Sequence, residues 1–470
     1  MAHERMNTQT KESFKQKEKY MKKQLITLLV VLFAVTSLAF AGGAAESKTT
    51  EVPANIVWVT PDRIGNPNAP ITLTYAVDLT YSHQTETASR KEYLTRRMEE
   101  WAKAHPDVKL IPQILSNNPS ERLAKQLEQA ATGTIADAVQ IDGQFVPLFY
   151  RWLQPIDKFY SKEDQADWFD WCLTEAMIDP ADGKLKAVWL LTNTVGLWYD
   201  KTVVPNPPKS WDEFIKVGKE LQQKGYQYGF LTWGGKNEQI SYGSVFPMFF
   251  GLGGDLVDEK DHPVYGQGAN RDKLVEVFKF WERAVKEGVT PRRILDINNN
   301  GDLVAEAKAK STAMFLGGSW LMSVLKDNLG SEMDKWDFAN TPQYRADVKM
   351  QIPGGYTMGY FTKDPKKLEL IVDFMDYVYA GKDGMAGWCS TAGYTPVRES
   401  VFAEYDVFKN DRFQQAFGAA LETARLRPNS SNYNIISEHV QEGWQNVILG
   451  AQTPEQAVDT AYQKTLNQIR

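Results

Sequence analysis

The chain has little of the chemistry on which most enzymes and metal sites depend. Its 470 residues include two cysteines, Cys172 and Cys389, and five histidines that are scattered without metal-ligand spacing. It contains no G-x-S-x-G nucleophile motif and no G-x-x-x-x-G-K-S/T phosphate loop. We therefore expect no metal site, no cofactor and no catalytic residues. Whether the two cysteines pair stays open at this point.

Long apolar runs are scarce as well. The one that stands out, at 25–40, is shorter than the roughly 20 residues that a membrane-spanning helix needs. It follows Met21 and two lysines and ends in a small-x-small pattern at Ala41. This arrangement is typical of a secretory signal peptide, which we place at 21–41 with cleavage near Ala41. Residues 1–20 are then a non-structural extension.

The predicted cut leaves Gly42, and not a cysteine, at the start of the mature chain. We therefore expect no lipid anchor, a flexible mature N-terminus over 42–52, and a monomer that diffuses in the periplasm. About 420 residues remain, which suits two large domains or lobes. The net charge of −6 is mild and no basic stripe stands out, so no nucleic-acid partner is expected.

The sequence is rich in aromatic residues, with 14 Trp and 20 Tyr. Flat rings bind sugars well because the axial C–H groups lie against the ring face while the hydroxyls point to its edge. Core packing is the ordinary role of such rings and is expected for most of them.

Short apolar strands alternate with capped helices along the mature sequence, which is the pattern of an α/β fold. Strands are predicted at 71–77, 108–114 and 138–141, and helices at 88–105, 120–132 and 211–224. Further helices are predicted around 274–285, from Asp364 and from Thr453.

Four motifs lie in order along the chain. They are GKLKAVW at 183–189 with VGLWYDK at 195–201, PPKSWDEF at 207–214, AMFLGGSW at 313–320, and GYTPVR at 393–398. Together they resemble the extracellular solute-binding proteins of carbohydrate ABC importers, family 1, the maltose-binding-protein-like group. Two positions depart from the family pattern: Trp189 stands where proline is usual, and Asp200 stands where asparagine is usual.

The resemblance implies a two-lobe periplasmic-binding-protein fold of the α/β class, with a hinge of several chain crossings and a ligand cleft between the lobes. The N-terminal lobe is then expected over 53–192 and 342–392, and the C-terminal lobe over 193–341 and 393–470. It also implies that a sugar or short oligosaccharide is captured in the cleft and delivered to the membrane permease of an ABC importer, without catalysis. Hinge crossings would let the lobes close on that ligand.

Seven residues are predicted to bind the ligand. Trp320 matches the tryptophan that stacks on sugar in the family, and Asn193 lies in the first crossing. Asp142 ends a strand at the edge of an open α/β sheet where ligands bind, although a helix N-cap is its alternative role. The other candidates are loop aromatics, for which packing is the alternative: Trp233, Tyr356, Tyr81 and Tyr433.

Two alternatives remain. An exported carbohydrate-active enzyme, such as a glycoside hydrolase, would share the signal peptide and the aromatic cleft, because sequence spacing does not restrict which carboxylates pair. The same fold could also bind a polyol, a glycerol phosphate or an opine. A phosphate-bearing ligand needs a cluster of Arg, Lys or helix N-termini, and the predicted residues include no cation.

Overall fold

The structure is a computed structural model, and it describes residues 50–116, 119–430 and 432–469. The predicted signal peptide and the extension before it lie outside these residues. Within these ranges, no helix combines the length and the apolar character needed to cross a membrane. Both cysteines are buried free thiols, which answers the open question of their pairing.

The described strands divide between two main sheets and one short hairpin. They are β1 (Val59–Thr60), β2 (Arg63–Gly65), β3 (Ile71–Val77), β4 (Val108–Ile114), β5 (Ala138–Asp142), β6 (Ile178–Asp179), β7 (Lys184–Leu185), β8 (Ala187–Trp189), β9 (Asn193–Asp200), β10 (Met314–Gly318), β11 (Trp336–Ala339), β12 (Pro353–Gly354) and β13 (Tyr356–Tyr360). The first sheet has seven strands in the order β1-β2-β4-β3-β5-β13-β8. The second has the order β10-β9-β11, with β12 also paired to β9, and β6 with β7 form the hairpin.

The first sheet is mixed. β3 pairs in parallel with both β4 and β5, whereas β13 runs antiparallel between β5 and β8. All pairs of the second sheet are antiparallel. The carboxyl ends of β3 and β5 therefore meet the start of β13 at one edge of the first sheet, which is where an open α/β sheet binds its ligand.

Helices cover both sheets. The longer ones are Ala88–Ala104, Pro119–Thr132, Trp211–Gln223, Gly268–Lys286, Asn300–Lys308, Leu321–Leu329, Pro365–Met375, Lys382–Ala392, Arg412–Leu421, Tyr433–Leu449 and Pro454–Gln468. The shorter ones are Lys162–Gln165, Asp170–Cys172, Glu238–Ile240, Phe246–Gly251, Glu399–Glu404 and Asp406–Lys409. Helices Ala88–Ala104 and Pro365–Met375 pack against the first sheet, and Asn300–Lys308 and Arg412–Leu421 pack against the second.

Local signals in the sequence set most of these boundaries. Ser210 and Glu213 form a capping box at the start of helix Trp211–Gln223, and Thr453 and Gln456 form another at Pro454–Gln468. The strands predicted at 71–77 and 108–114 are confirmed, and the strand predicted at 138–141 is one residue longer. The starts of these two helices and the positions of these three strands therefore follow from the short-range sequence pattern alone.

The chain changes sheets between Trp189, the last residue of β8, and Asn193, the first residue of β9. It returns at Gly355, between β12 of the second sheet and β13 of the first. This second change comes later than the boundary expected at 342. Gln343 exchanges backbone hydrogen bonds with Lys209 and Trp211 and so stays with the second sheet.

The third change of lobe also falls later than the expected residue 393. Val397 accepts a backbone hydrogen bond from Phe169, and the buried Arg398 pairs with Asp164 and Asp167 at 2.7 and 3.1 Å. Residues 397–400 therefore pack with the part of the chain that precedes β8. Helix Arg412–Leu421 is the next segment that packs against β9 and β11.

The crossing at Gly355 requires glycine. Its φ is +148°, and an added Cβ would lie 2.4 Å from the carbonyl oxygen of Leu191 and 2.7 Å from the Trp189 ring. The carbonyl of Gly355 accepts a hydrogen bond from the Gly143 N–H at 3.1 Å. Trp189, which replaces the usual proline, therefore packs tightly against both chain crossings. Its ring leaves room beside it only for small residues, here Gly143 and Gly355.

Candidate functional site

The first sheet contributes three of the predicted residues from one edge. Asp142 is the last residue of β5 and lies directly opposite Tyr356, the first residue of β13. Tyr81 lies in the 3-10 turn Leu79–Tyr81 that follows β3, with its ring centroid 5.4 Å from that of Tyr356. The parallel run of β3 and β5 therefore brings Tyr81, Asp142 and Tyr356 together.

An arginine that the sequence did not indicate lies beside them. Arg122, on helix Pro119–Thr132, places Nη2 3.0 Å from Oδ2 of Asp78, and its guanidinium lies 5.8 Å from the centre of the Tyr356 ring. Burial raises the pKa of Tyr356 to about 12, with Arg122 opposing the rise. The Tyr356 hydroxyl is therefore a neutral hydrogen-bonding group at physiological pH.

The second sheet contributes Asn193, which begins β9, and Trp320, which follows β10. Tyr242 connects them. Its hydroxyl donates to Oδ1 of Asn193 at 2.7 Å, and its ring lies nearly parallel to that of Trp320, with the centroids 6.0 Å apart. Tyr242 lies on the π-helical turn Ser241–Val245, a distortion often found at functional sites.

Trp233 lies against Trp320, with the ring centroids 5.9 Å apart and an interplanar angle of 11°. The Trp233 side chain is completely buried, whereas Trp320 is only half-buried. Among the described residues, Nε1 of Trp233 has no hydrogen-bond partner. Of these two rings, Trp320 is therefore the one that keeps exposed surface, and Trp233 packs beside it.

Arg427 lies where the two sets of residues meet. Its side chain is 6% exposed, with Nη2 3.5 Å from Oδ1 of Asp142 and Nη1 3.2 Å from Oε1 of Glu238. Its guanidinium also lies 4.7 Å from the centre of the Tyr242 ring and 5.5 Å from that of Tyr433. Burial alone lowers the pKa of Arg427, but Tyr433, Asp142 and Glu238 together raise it, so the group stays charged.

Glu238 holds the remaining predicted residue, Tyr433, in place. Oε1 of Glu238 accepts a hydrogen bond from the Tyr433 hydroxyl, and Oε2 accepts one from Oγ of Ser437 at 2.5 Å. Burial raises the pKa of Glu238, and Arg427 opposes that rise. Tyr433 is completely buried and its hydroxyl already donates to Glu238, so in this conformation the Tyr433 side chain presents no surface to a ligand.

The structure links all seven predicted residues through successive contacts. Tyr81 touches Tyr356, which is paired in register with Asp142. The Asp142 carboxylate meets Arg427, whose guanidinium contacts the rings of Tyr242 and Tyr433, and Tyr242 leads on to Asn193, Trp320 and Trp233. The predicted residues are thus gathered at one place, although whether each binds ligand stays a prediction.

Sequence reasoning missed five members of this group: Asp78, Arg122, Glu238, Tyr242 and Arg427. Arg122 lies on a helix, where an arginine is expected at the surface, and Tyr242 lies on a π-helical turn that no residue pattern indicated. Arg427 lies in a loop six positions before Tyr433, and that proximity was the only available signal.

The chemistry of this group is that of binding. It offers half-buried aromatic surface, neutral hydroxyls and an amide, together with charged groups that are paired with one another. In the part of the chain that the structure describes, no three His, Cys, Asp or Glu side chains lie close enough to hold a metal ion. Two sheets are joined by chain crossings, and residues from both sheets meet in this group. This arrangement is that of a two-lobe ligand-binding protein.

The family follows from comparison with known sequences. The model of the bacterial extracellular solute-binding protein family matches residues 97–415, and the chain belongs to this family. A maltotriose-binding protein from Pyrococcus abyssi is 25% identical over 297 residues, 62% of this chain and 60% of that relative's length. An sn-glycerol-3-phosphate-binding periplasmic protein from Shigella dysenteriae is 22% identical over 393 residues, 77% of this chain and 85% of the relative.

Solved structures share the fold. Maltose-bound MalE3 of T. maritima is 18% identical, with a TM-score of 0.71 and coverage of 85% of this chain and 100% of its own. An ABC transporter solute-binding protein from Thermotoga lettingae, bound with α-D-tagatose, is 21% identical, with a TM-score of 0.69 and the same coverage of both chains. These neighbours confirm the two-lobe periplasmic-binding-protein fold.

Proposed function

We propose that this protein captures a sugar or short oligosaccharide between its two lobes and delivers it to the membrane permease of an ABC importer. The observation that carries the proposal is the connected group of aromatic and hydrogen-bonding side chains from both sheets, which includes the half-buried Trp320 ring. A ring face covers the C–H groups of a sugar, while the amide, hydroxyl and carboxylate groups replace the water lost by its hydroxyls.

Family membership supports the same conclusion. The Pyrococcus abyssi relative is named for maltotriose, and the T. maritima neighbour was solved with maltose bound. Members of this group bind solutes for transport, so we infer that the chain carries out no catalysis of its own. We also propose export by the signal peptide, with cleavage near Ala41 and no lipid anchor. The mature protein would be a periplasmic monomer without a nucleic-acid partner.

For the lobes, we propose boundaries that follow the sheet changes and not the motifs. The first lobe would comprise 53–189 and 355–404, and the second 193–354 and 405–470. Rotation about these crossings would close the cleft on its ligand. Small-angle scattering with and without a saturating sugar should show a smaller radius of gyration in the bound protein. An unchanged radius with a confirmed ligand would count against closure.

A sugar panel tests the function itself. Mature protein is titrated with mono-, di- and trisaccharides while tryptophan fluorescence and thermal stability are followed, and new reducing ends are assayed in the same samples. We expect at least one sugar to raise the unfolding temperature without being consumed, because a ligand that binds only the folded state stabilises it. Appearance of reducing ends would favour the hydrolase alternative, and no stabilisation by any sugar would contradict the proposal.

A further inference from the structure

We propose that Asp142, Glu238 and Asp78 are specificity-determining residues that exclude phosphorylated and other anionic solutes by occupying the two arginines of the cleft. This inference rests on the proposed function, because it concerns the ligand class of the same site. The relatives include both a maltotriose-binding protein and a glycerol-3-phosphate-binding protein, so the charge of the ligand is a real choice within the family.

Both cleft arginines already have carboxylate partners. Arg427 pairs with Glu238 and Asp142 at 3.2 and 3.5 Å, and Arg122 pairs with Asp78 at 3.0 Å. These arginine side chains are 10% and 6% exposed, for Arg122 and Arg427, so solvent does little to screen the pairing. The Arg427 Nε–H has no hydrogen-bond partner among the described residues, but a phosphate also needs a positive charge that is not already matched, and neither arginine offers one without losing a carboxylate partner.

The net charge of these arginines and carboxylates also disfavours the binding of an anion. Two guanidinium groups face three carboxylates, so an incoming anion meets a site with no excess of positive charge. The balance does not depend on Glu238, because the two arginines are matched by Asp78 and Asp142 even when Glu238 holds a proton. Bringing an anion close to the Asp142 and Asp78 carboxylates in a partly buried site is unfavourable, and displacing either would leave a partly buried carboxylate without its arginine.

A third arginine lies near Tyr81 but is engaged elsewhere. Arg90 is buried, and its guanidinium lies 5.5 Å from the centre of the Tyr394 ring, which stacks on Tyr81. Its Nη2 donates to the carbonyl of Ala392 at 2.8 Å, the last residue of helix Lys382–Ala392. The negative end of that helix dipole offsets the Arg90 charge.

Removing every carboxylate that pairs with one arginine should therefore free that arginine for an anion, and for Arg427 this means both Asp142 and Glu238. Asp142→Asn and Glu238→Gln keep the sizes of the side chains. The Asp142 side chain is 29% exposed, and the amide of Glu238→Gln can still hydrogen-bond with the hydroxyls of Tyr433 and Ser437, so the fold should tolerate the double change. Asp78→Asn does the same for Arg122 and keeps an oxygen that can accept from the Thr80 N–H. Asp255→Asn is the matched control, because Asp255 pairs with Arg425 and is 52% exposed.

The experiment is calorimetry in a phosphate-free buffer with matched probes: glucose against glucose 6-phosphate, glycerol against sn-glycerol 3-phosphate, and inorganic phosphate alone. We expect the parent to bind no phosphate probe, and the Asp142→Asn/Glu238→Gln double variant and Asp78→Asn each to gain about tenfold or more in affinity for at least one of them. Asp255→Asn should behave like the parent.

Two outcomes would overturn the inference. One is a parent protein that binds a phosphate ester more tightly than its uncharged counterpart. The other is the absence of any gain in phosphate affinity in both the folded double variant and the folded Asp78→Asn. A parent that binds no neutral sugar would instead overturn the proposed function. The parent measurement with phosphate esters decides the inference even when a variant fails to fold.

Discussion

The residues from the first sheet and those from the second sheet, which meet at Arg427, carry different chemical groups. The side from the first sheet, which we call the polar wall, comprises Asp78, Tyr81, Arg122, Asp142 and Tyr356. The side from the second sheet, the aromatic wall, comprises Asn193, Trp233, Tyr242, Trp320 and Arg427. On the polar wall Arg122 pairs with Asp78 at 3.0 Å and its guanidinium lies 5.8 Å from the centre of the Tyr356 ring, while Tyr81 is buried. On the aromatic wall two further rings lie within 11° and 12° of parallel with Trp320.

This difference explains how the proposed cleft would hold both the apolar faces and the polar edge of a sugar. A sugar ring has apolar C–H faces and a polar edge, so a site with one flat aromatic wall and one hydrogen-bonding wall matches it from both sides. We expect the aromatic wall to supply most of the binding free energy, because burial of ring surface is favourable without a matching loss of hydrogen bonds to water.

The largest expected effect breaks the aromatic wall. Trp320→Ala should weaken sugar binding by about 2 to 4 kcal/mol, as expected for an aromatic residue at the centre of a binding site. Trp281→Ala is the matched core variant: Trp281 is completely buried, its Nε1 donates to the carbonyl of Ser244 at 3.1 Å, and its ring packs 5.4 Å from Trp444. It should lower the free energy of unfolding by about 3 to 5 kcal/mol.

Calorimetry and thermal unfolding of both variants separate the two roles. Trp281→Ala should retain the affinity of the parent at a temperature where it is folded. A Trp320→Ala protein that binds as well as the parent but unfolds at a lower temperature would make Trp320 a packing residue. Sugar binding would then not depend on the exposed ring of the aromatic wall, contrary to the proposal.

The next largest effect is expected at Asp376, a buried carboxylate that is hydrogen-bonded to a tyrosine and, among the described residues, to no arginine. Asp376, in the turn Asp376–Ala380 of the first lobe, accepts a hydrogen bond from the Tyr160 hydroxyl at 2.7 Å. Burial raises the pKa of Asp376 to about 7, although Tyr160 and Arg398 oppose the rise. The carboxylates of the polar wall instead meet guanidinium groups directly.

The sign follows from proton binding. Between about pH 4 and pH 7 the folded protein holds a proton on Asp376, whereas the unfolded chain, with the ordinary aspartate pKa of 3.8, does not. The free energy of unfolding should therefore fall as pH rises through this window, by about 3 kcal/mol between pH 5 and pH 8 from this group. Urea unfolding of Asp376→Asn should lack that part of the fall, and the exposed Glu369→Gln should keep it. Equal pH dependence in all three proteins would contradict the prediction.

The smallest expected effect concerns the polar wall itself. Tyr356→Phe removes one neutral hydroxyl and should cost about 1 kcal/mol of sugar affinity, the usual net value of a hydrogen bond. Tyr265→Phe is the control, since its buried hydroxyl bonds to Oγ1 of Thr465 at 2.7 Å and lies outside both walls. It should change stability and leave affinity alone. A loss larger than that of Trp320→Ala would reverse the ranking of the two walls.

Local elements were predicted well from sequence because their causes are local. The capping box at Ser210 and Glu213 needs only four adjacent residues, and the apolar strand Ile71–Val77 needs only its own composition. The two-lobe fold was inferred from motifs that resemble a family and was confirmed by the structural neighbours. The lobe boundaries stay a prediction: Gln343 and Arg398 pack with partners distant in sequence, which short-range patterns do not encode.

The amino-acid sequence by itself determined the α/β class, the helix ends and the identity of the aromatic candidates, because these depend on short-range patterns. Only the tertiary structure decided that Trp320 is half-buried while Trp233 is covered, and that Arg427 meets both Asp142 and Glu238. Asp142 and Arg427 are separated by 285 positions along the chain. A contact across such a separation is set by how the two sheets pack, and no local pattern encodes it.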